Sequence, residues 1–274
     1  MQRHQARTGA RSTLLERQHM TGTVVRVAVA GARGRTGSIV SDALGRVQGI
    51  ELVGTLVRGG AEPSTKTFDD VQRLAADTQP DVLVDFTLYP DSKTIALRSL
   101  ALGISPVIGT SGYTPADLED LREACADAKL GAVYAPNFSI GAALAMQFAK
   151  AAAPYFEYAE IIETHHTGKQ DAPSGTALAT ARLIAGAGHP RRAASAVMKS
   201  AGARGADEAG VGIHSLRLPG VVGIHEVRFA NEDETLVITH STSTRSAFVA
   251  GVVRAVRAVR SLDRLVIGLE ELQV

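Results

Sequence analysis

The stretch from Glu160 to Ala177 reads EIIETHHTGKQDAPSGTA and carries His165, His166, Lys169 and Asp171 ahead of Ser174, Gly175 and Thr176. A histidine can give or take a proton near neutral pH, and Lys169 adds a full positive charge to the same spot. Ser174 precedes an apolar-periodic segment (Ala177, Leu178, Ala181, Leu183, Ile184) and so marks a helix start. A helix start offers unpaired backbone N–H groups and a partial positive charge to an anion. Gly175 lets that anion approach the backbone. The set describes a pocket for a small carboxylate-bearing substrate with an acid beside it. The plainer reading, loop histidines and an ordinary serine cap, explains each residue alone but not their crowding into one stretch.

A second set lies at residues 24–37, VVRVAVAGARGRTG. The β-branched and Ala run from Val24 to Ala30 predicts a buried parallel strand. Gly31, Gly34 and Gly37 follow as G-x-x-G-x-x-G, and a helical pattern continues through Ile39, Val40, Ala43 and Leu44. Strand, glycine turn and helix form the context of a dinucleotide loop, which would include Ala32, Arg33, Arg35 and Thr36. The spacing differs from G-x-G-x-x-G, so alone it would also serve a tight turn. The next strand, Ile50 to Val57, ends at Arg58, with no acid before Glu62. NAD-preferring sites place an acid near that strand end. Arg58, with Arg33 and Arg35, suits a 2′-phosphate instead, so NADPH is expected over NADH, with NADH possible. Solvated surface arginines are the alternative.

These side chains need a scaffold. Strands are predicted at Asp81–Phe86, Pro106–Ile108 and Ala132–Ala135, with helices at Asp69–Asp77, Ser92–Leu102 and Pro115–Ala128. Thr87, Gly109–Ser111 and Ala135–Phe138 then fall at strand ends, where an open α/β sheet carries its ligand. A helix at Ala142–Ala153 leads into the histidine stretch. Alternation at Ile213–Leu218, Gly223–Phe229 and Thr235–His240 suits a mixed or antiparallel sheet, with a further short strand near Ala196–Lys199. His225 and His240 read as strand residues facing solvent or a subunit contact. A last helical pattern, Ser246–Ser261, sets an apolar stripe against Arg254, Arg257 and Arg260 on a solvated face.

Composition bounds the reading. The 274 residues suffice for one large or two modest domains, and at 45% hydrophobic with 4% aromatic the core must be mostly Val, Leu, Ile and Ala. A net charge of +1 argues against nucleic acid as the main partner. Cys125 is the only cysteine, which fits a reducing compartment, and a cytoplasmic location is expected. With no C-x-x-C or His-x-x-x-His spacing, no metal is expected. No apolar run reaches a membrane span. Residues 1–19 carry Arg3, Arg7, Arg11 and Arg17 against Glu16, without the apolar core of a secretory signal. They read as a disordered tail or a start placed too far upstream of Met20. An organellar transit peptide is compatible with their composition.

The histidine stretch closely resembles the signature of the dihydrodipicolinate reductase family, E-[IV]-x-E-x-H-H-x-x-x-K-x-D-x-P-S-G-T-A or a near variant. Glu160, Glu163, His165, His166, Lys169, Asp171, Pro173, Ser174, Gly175, Thr176 and Ala177 match it, with Thr167 and Gly168 as a shorter spacer before the lysine. The glycine loop resembles the family's G-[AC]-x-G-[RK]-M-G, with Thr36 in place of Met. Gly109-Thr110-Ser111-Gly112 is similar to Gly-Thr-Thr-Gly, and Ala135–Gly141 to A-x-N-F-S-[VI]-G. The resemblance runs from Val24 to the C-terminus and is weak between Glu62 and Asp81.

It implies an α/β chain: a Rossmann-like parallel-sheet cofactor domain (20–138 plus 246–274) and a smaller α+β substrate and oligomerisation domain with a mixed sheet (139–245), assembled as a homotetramer. It implies NAD(P)H-dependent reduction of 4-hydroxy-tetrahydrodipicolinate, a cyclic dicarboxylate, to tetrahydrodipicolinate on the route to diaminopimelate and lysine. His165 would be the general acid and Lys169 a neutralising or proton-delivering partner. His166, Ser174, Gly175, Thr176 and Ser111 would hold the substrate. Gly31–Gly37, Arg58, Thr87, Gly109–Ser111 and Ala135, Pro136, Asn137 and Phe138 would hold the cofactor. Arg245 matches a family arginine near the hinge. A reductase of another imine or keto dicarboxylate would use the same pocket chemistry. A non-catalytic nucleotide sensor on this fold would not need the His165–Lys169–Ser174 set.

Overall fold

The computed structural model describes residues 24–62, 66–188, 190–192 and 197–272. β1 (Val25–Ala30) is buried along almost its whole length, as a β-branched run must be when helices cover both faces of a parallel sheet. It pairs in parallel with β2 (Ile50–Leu56) on one side and β4 (Val82–Asp85) on the other. β5 (Ser105–Ile108), β6 (Ala132–Tyr134) and β12 (Leu265–Ile267) extend the sheet beyond β4, and β3 (Thr67–Phe68) closes the other edge. The result is a seven-stranded parallel sheet ordered β12-β6-β5-β4-β1-β2-β3. The order reverses between β1 and β4, so their outgoing loops diverge and open a crevice at the carboxyl ends of the strands.

α1 (Gly37–Leu44) and α7 (Val249–Val259) cover one face, where Val40, Leu44, Val252 and Val256 pack on Val27 and Val29. α2 (Val71–Thr78) lays Leu74 against Ala28, Ala30 and Leu83 on the other. Beside it, α3 (Asp91–Ala101) and α4 (Pro115–Ala128) pack Leu100, Leu121 and Cys125 on Ile108 and Ala132. α4 begins where the sequence says it should: Thr114 and Asp117 form a reciprocal capping box, and Pro115 occupies the first turn. The core is aliphatic, as the scarcity of aromatics requires.

After β6 the chain runs through α5 (Ile140–Ala152) into β7 (Tyr158–His165), the middle of a five-stranded sheet ordered β11-β10-β7-β9-β8. Here β8 is Ala206–Glu208, β9 is Val211–Arg217, β10 is Gly223–Ala230 and β11 is Thr235–Thr242. Only β7 and β9 are parallel, so the sheet is mixed. α5 and α6 (Gly175–Ala187) cover one face, packing Ala149, Ala177, Ala181 and Ile184 on Ile161, Ile213, Val227 and Phe229. Strand residues alternate faces, so Glu163 and His165 point the same way as Ile161, toward the two helices.

Several expectations need correction. β3, β8 and β12 are too short to carry a periodic signal and were not expected. Residues 197–199 form no strand, and Ala196 lies outside the described residues, as do residues 1–19 and Met20. Arg257 and Arg260 are exposed, as expected of a solvated face, and they also reach the parallel-sheet body: Arg257 donates to the Gln48 carbonyl at 3.2 Å and Arg260 stands 3.9 Å from Asp81. His225 does not face solvent. It shares the inward register of Val227 and Phe229, is 8% exposed, and sits directly opposite Glu163 on β7 and His240 on β11. His240 Nε2 lies 3.0 Å from Ser139 Oγ, and Ser139 caps α5.

Burial pushes the His225 imidazole down to about 4 against the pull of Glu163, with His240 and His165 adding to the drop. Between that value and its ordinary 6.5 the folded chain binds fewer protons than the unfolded chain, so stability rises with pH across that window. His225→Gln should flatten this slope. In urea unfolding at pH 4.5 and pH 7, wild type should lose on the order of 2 kcal/mol more than the variant. An equally steep loss in both would assign the slope to other groups.

Candidate active site

Glu163 organises one end of the mixed sheet. Its side chain has no exposed surface, yet it sits among hydrogen-bond donors. Arg217 Nη2 donates to Oε1 at 3.0 Å and Nη1 to Oε2 at 3.1 Å. Nδ1 of His165 bonds Oε2, and the backbone N–H of Ser174 reaches Oε1 at 3.3 Å. Burial works to raise the carboxyl, but His165, Arg217 and Ser215 hold it down at about 2, so it stays ionised. A lone buried carboxylate would cost several kcal/mol, and this donor set offsets that cost. The sequence motif contained Glu163 without a role for it. The signal was available, since Glu163 and His165 are two apart on a strand and must share a face.

His165 ends β7 rather than lying in the loop beyond it. With Nδ1 on Glu163, its free nitrogen is Nε2, which lies over Gly223 on β10. A Cβ at Gly223 would come 3.4 Å from that nitrogen. His166 follows directly: burial, then Arg245, Arg35, His165 and Lys169, push its pKa down, so it is neutral near pH 7. Arg35 belongs to the glycine loop, so cations of the parallel-sheet body and of the mixed-sheet body act on the same imidazole. Lys169 Nζ pairs with Asp171 at 2.8 and 2.9 Å, and Arg217 also donates to the Asp171 carbonyl at 2.6 Å. The His165–Lys169 loop and the start of α6 are thereby fastened to one guanidinium.

Ser174 is buried at the start of α6, with its Oγ accepting from Ala177 N at 3.2 Å. It is a cap, and its hydroxyl hydrogen remains able to donate. Gly175 is exposed, and a Cβ there would meet open space. The N–H groups of Gly175 and Thr176 occupy the first turn, where no intrahelical partner exists. Asn137 Nδ2 reaches Thr176 Oγ1 at 3.4 Å, joining the loop after β6 to this helix start.

At the carboxyl ends of the parallel strands, the residues expected at the cofactor come together. Gly31 has φ +77°, and a Cβ on it would fall 2.6 Å from the Phe86 carbonyl oxygen. Gly37, the first residue of α1, leaves no room for a Cβ beside the Gly31 carbonyl. The loop thus brings bare backbone to the start of a helix, as a pyrophosphate requires. Thr87 follows β4 and is pinned by the buried Asp85, which accepts from its N–H at 2.8 Å and its hydroxyl at 2.6 Å. Burial raises the Asp85 carboxyl, and Ser92 and Thr87 oppose that rise. Thr110 Oγ1 donates to the Thr87 carbonyl at 2.9 Å. The Phe86 ring packs between Gly109 and Phe138. Ala135 is buried under this loop, while Pro136 and Ser111 are exposed.

A cavity of about 500 Å³ opens beside the glycine loop, lined by Gly31, Arg33, Gly34, Arg58, Thr87 and Leu88 among others. Its volume and bare-backbone rim fit the adenosine half of a dinucleotide. Ala32, Arg35, Thr36, Gly37, Gly109–Ser111 and Ala135–Phe138 do not line this cavity, and of these Arg35 acts on His166 and Asn137 reaches Thr176. Gly141 also acquires a reason: a Cβ there would lie 2.7 Å from the His240 ring.

Residues 25–138 match the family model described as dihydrodipicolinate reductase, N-terminus, and residues 141–272 match its C-terminus counterpart. The 4-hydroxy-tetrahydrodipicolinate reductase of Moorella thermoacetica is 42% identical over 260 residues, covering 90% of this chain and 97% of that protein. The Bacillus subtilis protein of the same name is 38% identical over 269 residues, covering 92% and 99%. A dipicolinate-bound dihydrodipicolinate reductase from Paenisporosarcina sp. TG-14 superposes with a TM-score of 0.80 at 35% identity, covering 91% of this chain and 99% of that one.

The steric reading of the loop is testable by isothermal titration with NADPH. Gly31→Ala should weaken binding by about tenfold or more, because strain of a few kcal/mol enters at the contact with Phe86. Gly186→Ala in α6, where a Cβ meets open space, should leave affinity unchanged. Equal affinities in both variants would show that the loop does not approach the nucleotide.

Proposed function

The chain belongs to the dihydrodipicolinate reductase family, and from that membership we infer that it is a pyridine-nucleotide-dependent oxidoreductase. It reduces 4-hydroxy-tetrahydrodipicolinate to tetrahydrodipicolinate on the route to diaminopimelate and lysine. The observation that carries the reading is the Glu163 cluster, which gathers His165, Arg217 and the start of α6 beside Lys169 and His166. The chemistry of a dicarboxylate and a proton-requiring reduction fits that donor set.

When bound, the nucleotide supplies a hydride to C4 of the conjugated imine left once water departs. The rest falls to the chain. Gly175 and Thr176 offer N–H groups to one substrate carboxylate, and neutral His166 and the Ser174 hydroxyl add hydrogen bonds. Lys169 exchanges its contact with Asp171 for the substrate's negative charge. His165 delivers the proton from Nε2 to the ring carbon next to C4, which gains electron density when C4 takes the hydride; Nδ1 is held by Glu163, so loss of that proton leaves the neutral Nδ1–H tautomer in place. Lys169, four residues beyond His165 in the loop that follows β7, is the second group placed to supply that proton. Ser111, at the open end of β5, completes the substrate's polar wall.

Gly31, Ala32, Gly34, Thr36 and Gly37 are assigned to the pyrophosphate, and Thr87, Gly109, Thr110 and Ala135–Phe138 to the nicotinamide side. Arg33 and Arg58, which line the adenosine cavity, favour NADPH, with NADH accepted, while Arg35 stays with the glycine loop on the side of His166. Residues 20–138 with 246–274 are assigned to the nucleotide domain and 139–245 to the substrate domain, supported by the pairing of β12 with β6 and by α7 packing on β1. The outer face of the mixed sheet presents Ile162, Leu216, Ile224 and Val237, which supports a homotetramer built on that face. Among the described residues no helix is long and apolar enough to cross a membrane. The lone, buried Cys125 thiol supports a cytoplasmic location.

A coupled assay that generates the substrate with the preceding synthase should show rapid NADPH oxidation. Lys169→Ala and Glu163→Gln should each lower kcat by about a hundredfold or more, with NADPH affinity retained. Near-normal turnover in either variant would remove that residue from the mechanism. Light scattering on the eluting protein should give a mass of four chains, and an elution as monomer would remove the tetramer.

A further inference from the structure

The adenosine cavity contains acids that the β2 strand end lacks. Its polar rim holds Arg33, Arg58 and Arg98 together with Asp69, Asp70 and Asp91. Leu56, Val57, Val71, Leu88 and Ile95 form the apolar floor. The arginines are engaged by the chain itself. Arg33 donates to the Gly59 and Gly60 carbonyls at 3.3 and 3.2 Å, and Arg98 stands 3.7 Å from Asp70. Arg58, at the end of β2, pairs with Asp91 of α3. Asp70 also caps α2 by accepting from Arg73 N at 3.0 Å. Asp91 is therefore the acid that meets the strand-end residue on which nucleotide choice turns.

Its placement is built, not incidental. Asp91 lies in the first turn of α3, where a helix favours negative charge. The next residue, Ser92, is fully buried and bonds Asp85 at the end of β4. Lys93 pairs with Asp117 of α4 at 2.6 Å. Residue 91 is thus followed by two anchored residues while its own carboxylate, which lines the cavity, stays 52% exposed.

We propose that Asp91 is the acid that reads the adenosine ribose. With NADH its carboxylate accepts the 2′-hydroxyl. With NADPH, Arg58 leaves Asp91 for the 2′-phosphate, and the Arg58–Asp91 pair sets how evenly the two nucleotides are used. A β2-end acid would repel the 2′-phosphate permanently. An acid on a different element, already neutralised by an arginine that can turn, does not. The inference rests on the nucleotide reading given above and goes beyond it by naming the discriminating pair.

Isothermal titration of the full chain with NADH and with NADPH, without the dicarboxylate, tests it. Asp91→Asn should weaken NADH about tenfold and leave NADPH unchanged or tighter, the loss of one charge-assisted hydrogen bond. Arg58→Gln should do the reverse, weakening NADPH and sparing NADH. Because the pair is exposed, neither variant should shift the melting temperature appreciably. Equal changes for both nucleotides, or none, in Asp91→Asn overturn the proposal. Wild-type protein that binds neither nucleotide overturns it together with the nucleotide reading. Failure of the reductase reading appears separately, as absence of turnover in protein that binds both.

Discussion

A charged carboxylate with no exposed surface must be surrounded by donors or must give up its charge. Glu163 keeps its charge, and much of the mixed sheet is arranged to let it. Arg217 can lie bidentate on it only if β9 runs parallel to β7 in the register that sets Arg217 opposite His165. The Ser174 N–H can reach it only if the loop after His165 folds back over the sheet and starts α6 there. His165 is then presented with one nitrogen fixed and the other free. A sheet register, a helix start and a tautomer follow from one buried charge.

The parallel sheet is held to this cluster by the segment between β6 and α5. Asn137 accepts from Ser139 N at 2.9 Å and reaches Thr176 on α6, while Ser139 caps α5 and touches His240 on β11. Phe138 between them is buried against Phe86, and its carbonyl abuts Gly251 of α7 so closely that no Cβ fits. Few residues therefore carry the geometry from the crevice of the parallel sheet to the Glu163 cluster of the mixed one. Each is small, capping or aromatic for a stated contact.

Much of this was legible in the sequence, and for different reasons in different places. The parallel sheet was readable because buried strands announce themselves as apolar runs and glycine turns sit at their ends, as at Val25–Gly37. The histidine stretch was readable because its chemistry is local. What escaped was information held in pairing. Arg217 is one arginine among many until β9 is laid beside β7. His225 reads as a strand histidine until the alternation of β10 is given a direction, and then it is buried opposite Glu163. Asp91 stands outside the expected helix at Ser92–Leu102 and has no role in the sequence until the β4-to-α3 connection brings it to Arg58. β3 and β12 escaped because strands of two or three residues have no period to detect.

The charges at the centre also carry an argument about how the two sheets work together. Arg35 from the glycine loop, Arg245 from the segment before α7, and Lys169 with His165 all push protons off His166. Like charges gathered from separate parts of the fold resist approach, and more strongly as water leaves. Glu163 and Asp171 offset part of this charge, but both are already engaged by Arg217, His165 and Lys169. On the proposed function, a dianionic substrate seated among these groups would supply the missing negative charge. Its carboxylates would lower the electrostatic cost of bringing the glycine loop toward the start of α6, and binding energy from groups remote from the reacting carbon would set nucleotide and substrate together. A monoanion would satisfy only one side of that cluster. On that reading the surplus of cations would itself select for two carboxylates.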